Sequence, residues 1–476
     1  MTKLTRNTTY LTAALIGQKV IAFFYFAVIA RSVGVEWTGK YFLALSIVIM
    51  VGALADFGLT PVLVREVAKR PDEQQHLLSS VLGLKIVLAA ISMGVVLIIA
   101  KWGGYDPLTA KLMIVATVVM LLDTLHLTYY GVFRGRHALA TESIGMFVGQ
   151  GLTCAVGLVS LFIAPSLFWL VLALMLGSAW NVLVSGYRLW RVGIHPLRIR
   201  FERAHAAWLF KVAFPFALAA VFTKAYSTAD TIILERVLGE TGVGLYSVAN
   251  KLTYAFQFLP MAFIAALYPT FSHLIALHDR DGLLRVFDRS MWYVSLIGVP
   301  IIFGVFSVAD LIVPLIYGGD YAASILPLQI LIFALLFIFL DFPIGSLLNA
   351  DDRQMTKTII MGQTMVINLV ANLILIPRFG VAGASVATMA SFIWLLGASF
   401  VAMQKTVPYR LRRLLVTVGP ILFSGIVMAA VVFLTKPFLG LAVIPVGGIV
   451  YIAGLFLLGS LSRHDLRAFR HELRST

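Results

Sequence analysis

Apolar residues run along this chain in blocks of roughly 20, the length that carries a helix across a bilayer, and short polar clusters punctuate them. About fourteen blocks can be drawn, at 10–31, 41–63, 79–100, 110–132, 142–164, 167–187, 207–233, 244–270, 290–313, 324–348, 357–376, 381–403, 412–434 and 438–461. The pattern predicts an all-α polytopic membrane protein. No loop exceeds roughly 20 residues, so no soluble nucleotide-binding domain is built in. Lys3 and Arg6 before the first block, with Val28-Ile29-Ala30 at its end, imitate a signal peptide. Gln18-Lys19 interrupts that apolar stretch, and we read it as a retained first helix.

Composition agrees with the pattern. Of 476 residues 60% are apolar and 12% charged, with a mean hydropathy of +0.94. A soluble domain has about 25% charged residues, so a soluble enzyme or a disordered chain is excluded. The net charge of +15 suggests a nucleic-acid partner until the charges are mapped. With the N-terminus in the cytoplasm, inside loops and tails hold twenty-five Lys and Arg, from Lys3 to Arg474, and outer loops only seven. That asymmetry predicts a multi-pass protein of the cytoplasmic membrane with both termini inside. The basicity is then a topological signal facing anionic headgroups, and nucleic acid is not required. Within the spans, five bases and five acids cancel.

An internal repeat emerges at an offset of 205. Lys19, Arg31, Gly34, Gly39, Tyr41 and Ala44 map onto Lys224, Arg236, Gly239, Gly244, Tyr246 and Ala249. The glycine turn recurs loosely at Arg378-Phe379-Gly380. Parallel repeats predict two six-helix lobes, 1–204 and 205–404, with a substrate path between them. Residues 405–476 form an appendage of helices 13 and 14 with a basic cytoplasmic tail.

Ionisable side chains inside a membrane are costly and by default face a bundle interior or a wet cavity. The ten are Lys19, Lys85, Lys211, Lys224, Lys251, Asp56, Asp123, Glu142, Asp230 and Asp341. Lys85, Lys211 and Glu142 lie near span ends, where snorkelling to the headgroups explains them. Lys19 and Lys224 lie deeper and are repeat-related, so they are expected to approach one cavity from two lobes. Lys251, Arg31 and Arg236 complete the candidate substrate-binding set, the arginines serving equally as headgroup anchors. An ion pair of Asp230 with Lys224 or Lys251 would be the purely structural alternative. Asp123 with His126, Tyr129 and Tyr130, together with Asp230 and Asp341, are candidates for ion coupling. Prolines at 215, 260, 300, 343 and 420 allow the helices to bend.

No motif supports catalysis. Gly34 to Tyr41 nearly fits a phosphate-binding loop but fails at Tyr41 and lacks a preceding strand. The sequon Asn7-Thr8-Thr9 falls on the cytoplasmic side. Nine histidines show no metal spacing, and the single Cys154 cannot form an internal disulfide. No cofactor or metal is implied.

Asp56-Phe57-Gly58-Leu59, continuing through Pro61 to Arg65-Glu66-Val67-Ala68, resembles the helix 2 ending of the polysaccharide transport family of lipid-linked oligosaccharide flippases. Asp230-Thr231-Ile232-Ile233-Leu234 with Gly242 to Leu252 is similar to that family's turn between helices 7 and 8, and Pro377 to Ala384 to its turn between helices 11 and 12. The resemblance covers most of the chain and places it in the superfamily that also holds multidrug extruders and the peptidoglycan-precursor flippase. It implies two six-helix lobes, a cationic cavity that alternates between the membrane faces, and an undecaprenyl-diphosphate-linked sugar as substrate. It also implies polymerase or glycosyltransferase partners in surface-glycan synthesis. Lys19 and Lys224 would neutralise the diphosphate while the polyprenyl tail stays in lipid. A cation-coupled multidrug exporter is the nearest alternative, although mid-span lysines would repel a cationic drug. An integral-membrane glycan polymerase or ligase would need a large outer loop that is missing here.

Overall fold

The structure is a computed structural model that describes residues 3–201 and 203–461; the basic tail expected at 462–476 lies outside them. The described chain folds as α1 (Lys3–Asp56), α2 (Leu59–Lys69), α3 (Gln74–Trp102), α4 (Pro107–Gly135), α5 (Ala140–Ile163), α6 (Leu167–Arg191), α7 (Arg203–Ala255), α8 (Phe258–Ala276), α9 (Arg280–Tyr317), α10 (Ile325–Ala350), α11 (Gln354–Met403), α12 (Leu411–Leu439) and α13 (Val443–Leu457). Among the described residues, ten helical stretches are long and apolar enough to cross a membrane. A helix satisfies its own backbone hydrogen bonds, which hydrocarbon cannot do for it, and this is why apolar blocks of such length fold this way.

Several expected loops are no more than a break in a helix. Gly34 (φ 79°, ψ 176°), Gly239 (φ 67°, ψ −169°) and Gly380 (φ 58°, ψ −135°) interrupt α1, α7 and α11 with backbone angles that side chains exclude. The chain reverses at each. The rings of Phe26 and Phe42 lie 6.4 Å apart, whereas sixteen residues of straight helix would separate them by about 24 Å. The Tyr246 hydroxyl reaches Asp230 across Gly239, and Asn368 donates to Ser391 across Gly380 at 3.3 Å. At Gly440 (φ 52°) α12 gives way to a short turn before α13, and Gly447 then lies against Val432. The block expected at 41–63 is likewise broken, at Phe57 (φ 43°) and Gly58 (φ 66°), where Phe57 stacks on Phe210 at 4.5 Å.

The chain divides into two compact units, Met1–Ser247 and Val248–Thr476. The division falls in the second arm of α7, whereas the sequence repeat begins anew at 205; compactness and descent are separate properties of a chain. The first unit has a core of Leu59, Val62, Leu78, Val81, Tyr130, Val132 and their neighbours, joining α2, α3 and α4. In the second, one core gathers Phe271, Phe287, Ile344, Leu347 and Tyr409, and another sets α13 against α9 and α12 through Val299, Ile421 and Tyr451. Large exposed apolar residues such as Phe162 and Phe214 face outward, as a lipid-facing surface requires.

Candidate functional site

The first unit encloses a cavity of about 580 Å³, lined from α1, α4, α5, α6 and the first arm of α7. Its walls are mostly apolar, with Leu45, Val48, Met120 and Leu174 among them. The polar lining is concentrated in Gln18, Asp56, Asp123, His126, Gln150, Asn181 and Lys224. Lys224 is exposed at mid-span, and the neighbouring Lys19 is exposed beside Gln18. The Lys19 charge acts on the Lys224 ammonium. Of the two lysines that the repeat relates, Lys224 lines the cavity and Lys19 follows the lining residue Gln18.

Opposite charge sits elsewhere in the same cavity. Asp123 accepts from the Ser178 hydroxyl at 2.5 Å, and its Oδ1 lies 3.1 Å from His126 Nε2. His126 Nδ1 is buried without a hydrogen-bond partner among the described residues. Tyr129 and Tyr130 are spent on packing: the first donates to the Pro196 carbonyl at 3.1 Å and the second to Asn181 Oδ1 at 2.7 Å, which tie α4 to the segment after α6 and to the middle of α6.

Asp56 also lines the cavity, but its charge is answered from behind. Lys85 Nζ donates to Asp56 Oδ1 at 2.6 Å, to Thr60 at 2.8 Å and to Thr128 at 2.7 Å. This corrects the snorkelling expected of Lys85, which is 3% exposed: a partner on α1 and two hydroxyls offer all three of its donors a buried acceptor. Glu142 is corrected in the same way. It is buried and held by Arg134, whose Nε donates at 2.8 Å, so it joins α4 to α5 instead of reaching the headgroups.

The remaining candidates lie apart from the cavity lining. Asp230 accepts from the Tyr246 hydroxyl and from Thr231 N–H at 2.7 Å. Arg31 and Arg236 are exposed at the turn end of their arms. Arg236 donates to the Gly103 carbonyl and lies 4.6 Å from the centroid of Tyr105. Lys251 is exposed in the second unit. Asp341, in that unit too, is bound by Lys357 Nζ at 2.6 and 2.8 Å. Lys357 reads from sequence as a loop cation; its only sequence signal is its place at the first residue of a span, sixteen positions from that acid. No group of three or more metal-ligating side chains occurs among the described residues.

The two repeat-related turns meet each other. A Cβ on Gly39 would fall on the Glu240 carbonyl and 2.9 Å from Gly244 N. A Cβ on Gly244 would fall on the Val35 carbonyl. Under the offset of 205, Gly39 corresponds to Gly244 and Val35 to Glu240. The contact is reciprocal, as a two-fold axis between the copies demands, and glycine at both positions permits the backbones to touch.

A family model described as polysaccharide biosynthesis protein matches residues 4–275, more than half of the chain. The chain belongs to this family. Its family is one of membrane transporters of the flippase type and not of enzymes, and a MatE model also matches residues 215–374. The chain is 23% identical over 417 residues to the "Probable low-salt glycan biosynthesis flippase Agl15" of Haloferax volcanii, covering 86% of this chain and 85% of that one. It is 26% identical over 343 residues to the lipopolysaccharide biosynthesis protein WzxC of Escherichia coli K12, covering 68% and 65%. Among solved structures, the lipid II flippase MurJ in an inward closed conformation superposes with a TM-score of 0.75 at 14% identity, covering 93% of this chain and 97% of that one. An inward-facing multidrug-resistance MATE family transporter follows at 0.62 and 14%, covering 84% and 94%. These two likenesses concern the fold alone. The resemblance read from the turn motifs is thereby established at the level of the family.

Proposed function

We propose that this protein is a flippase that moves a polyprenyl-diphosphate-linked oligosaccharide across the cytoplasmic membrane by alternating access. The observation that carries the reading is the pair Lys19 and Lys224, repeat-related and exposed at mid-span, with the Lys19 charge acting on the Lys224 ammonium. Two like charges held together in a membrane need an anion between them, and a diphosphate supplies it. An ammonium is a point charge without a fixed fork, so it grips a diphosphate and leaves the sugar free to vary. The diphosphate and its sugar cannot cross about 30 Å of hydrocarbon without such neutralisation. Named relatives that are glycan-biosynthesis flippases support the substrate class.

Dividing the long helices at Gly34, Gly239, Gly380 and Gly440 gives fourteen crossings, an even number, with both termini on the cytoplasmic side. On this reading the Gly39 and Gly244 contact is the outer gate in its closed form. Asp123, beside His126, is the acid of the set that faces the cavity and is the group to which we assign coupling to a proton or cation. Asp230 and Asp341 are already held by Tyr246 and Lys357.

The Lys19→Ala, Lys224→Ala double variant should insert normally and lose glycan export in a complemented cell. Normal surface glycan from that strain would sink the assignment. A second reading, a cation-coupled exporter of drugs, is favoured by Asp123 alone. It predicts that Asp123→Asn abolishes drug efflux while the lysine variant leaves efflux intact.

A further inference from the structure

A second hollow lies far in sequence from the lysines, within the α11 hairpin. It is a groove of about 750 Å³ between the two arms, with Ile359, Ile360, Ile393 and Val401 on its walls and small residues at Gly397 and Ala398. Ile359, Ile393, Trp394 and Val401 are exposed, so the groove presents an open apolar face of the kind that lipid covers. Its charge is confined to one end, where Arg353 and Lys405 face each other across the hairpin, and no acid lines it.

We propose that this groove is a binding site for an anionic glycerophospholipid of the adjoining leaflet. Depth argues for the occupant. From Arg353 to Gln363 is ten helical residues, about 15 Å, which is half of the roughly 30 Å hydrocarbon core. One acyl chain of one leaflet fills that depth, whereas a polyprenyl chain overruns it. Charge argues for the headgroup. Arg353 spends donors of one nitrogen on the Ala402 carbonyl at 2.6 Å and on Thr406 at 3.4 Å, which leaves the rest of its five donors for a phosphate. Lys405 is exposed and forms no hydrogen bond or ion pair among the described residues. Thr356, one turn deeper, lies at the level of the glycerol esters. Of the nearby acids, Asp351 accepts from Thr406 at 2.5 Å and Asp352 is exposed; neither lines the groove.

Trp394 is the reporter. Full-length protein is reconstituted in bilayers containing phosphatidylglycerol or phosphatidylcholine brominated in the acyl chain, and the quenching lost on Trp394→Phe is taken as the signal. Phosphatidylglycerol should quench Trp394 at lower mole fraction than phosphatidylcholine, by about five-fold for each basic residue engaged. Lys405→Glu should remove that preference. Gly397→Leu should weaken quenching by both lipids, and it folds because nothing lies within 4 Å of a Cβ at that position. Arg353 also caps a backbone carbonyl, so Lys405→Glu is the decisive variant. Equal quenching by the two lipids, or a preference that survives Lys405→Glu, overturns the proposal. So does stronger quenching by a brominated polyprenyl phosphate, which would give the groove to the substrate tail, or protection that grows with protein density, which would give it to a second copy.

Discussion

The hairpins of α1 and α7 are two editions of one element, and they differ where a repeat is free to differ. Both break at a glycine, Gly34 or Gly239, both carry a mid-span lysine, and both present a second glycine to the other. Tyr41 and Tyr25 stand in the first hairpin where the second has Tyr246 and Asp230, and there Tyr246 donates to Asp230. The Tyr25 hydroxyl is buried against Gly157 without a hydrogen-bond partner among the described residues, while Asp230 accepts from two residues. The turns diverge as well. Lys40, beside Glu36 at 3.1 Å, reaches Asp106 at 3.3 Å, but its counterpart is Leu245. In compensation Arg236 holds Gly103 and Tyr105, so one short loop, 103–106, grips both turns. The repeat preserves what backbone geometry requires and lets side-chain chemistry drift.

The most severe test of that equivalence is a methyl group. Gly39→Ala and Gly244→Ala each place a Cβ on a backbone carbonyl of the other copy, which cannot swing aside as a side chain can. Each should cost about 3 kcal/mol, the upper range for overpacking, read as a fall in thermal midpoint of the purified protein. If one is damaging and the other silent, the contact is not reciprocal. The next test targets the difference. Asp230→Ala removes a buried acceptor of the Tyr246 hydroxyl and of Thr231 N–H and should cost about 2 kcal/mol, whereas Tyr25→Phe removes a hydroxyl with no hydrogen-bond partner among the described residues and should stay within about 0.5 kcal/mol. Comparable losses from both would erase the distinction between the hairpins. Arg236→Gln, which gives up a charged hydrogen bond and a ring contact, should cost about 1 kcal/mol and increase proteolytic cleavage at 103–106; unchanged cleavage would mean that the loop is held otherwise.

Much of this was legible from residues alone, and the limit has a physical cause. Span length, turn glycines and the repeat are properties of a line of residues, and Gly34, Gly239 and Gly380 stand where the glycine pattern placed turns. Helix rotation is not such a property, because a nearly all-apolar helix shows little amphipathic face to orient it. For this reason the sequence alone assigns Lys85 to the headgroups though it meets Asp56, twenty-nine residues away, and reads Lys357 as a loop cation though it meets Asp341. In the candidate site, the repeat relates Lys19 to Lys224, and of the two Lys224 lines the cavity. Asp123, His126 and Ser178 could be paired only in part: the first two are three residues apart on one helix face, whereas Ser178 arrives from α6.

The smallest effect distinguishes the first turn from the second by pH. Asp106 caps α4 by accepting from Leu108 N–H at 3.0 Å and Thr109 N–H at 3.4 Å, and it pairs with Lys40. Burial works to raise its pKa, but the Leu108 hydrogen bond and the Lys40 charge together hold it below the ordinary carboxylate value. A carboxyl with a lowered folded-state pKa contributes stability above its unfolded value, near 3.9, and that contribution is lost as pH falls through the folded value. The first turn should therefore loosen below about pH 4, while the second, held by Arg236 through a carbonyl and a ring, should not. Asparagine caps a helix about as well as aspartate, so Asp106→Asn removes only the charged part, about 0.5 kcal/mol, and should flatten the acid limb of the stability profile. An acid limb unchanged in Asp106→Asn would place the titrating group elsewhere and leave the two turns equally insensitive to protons.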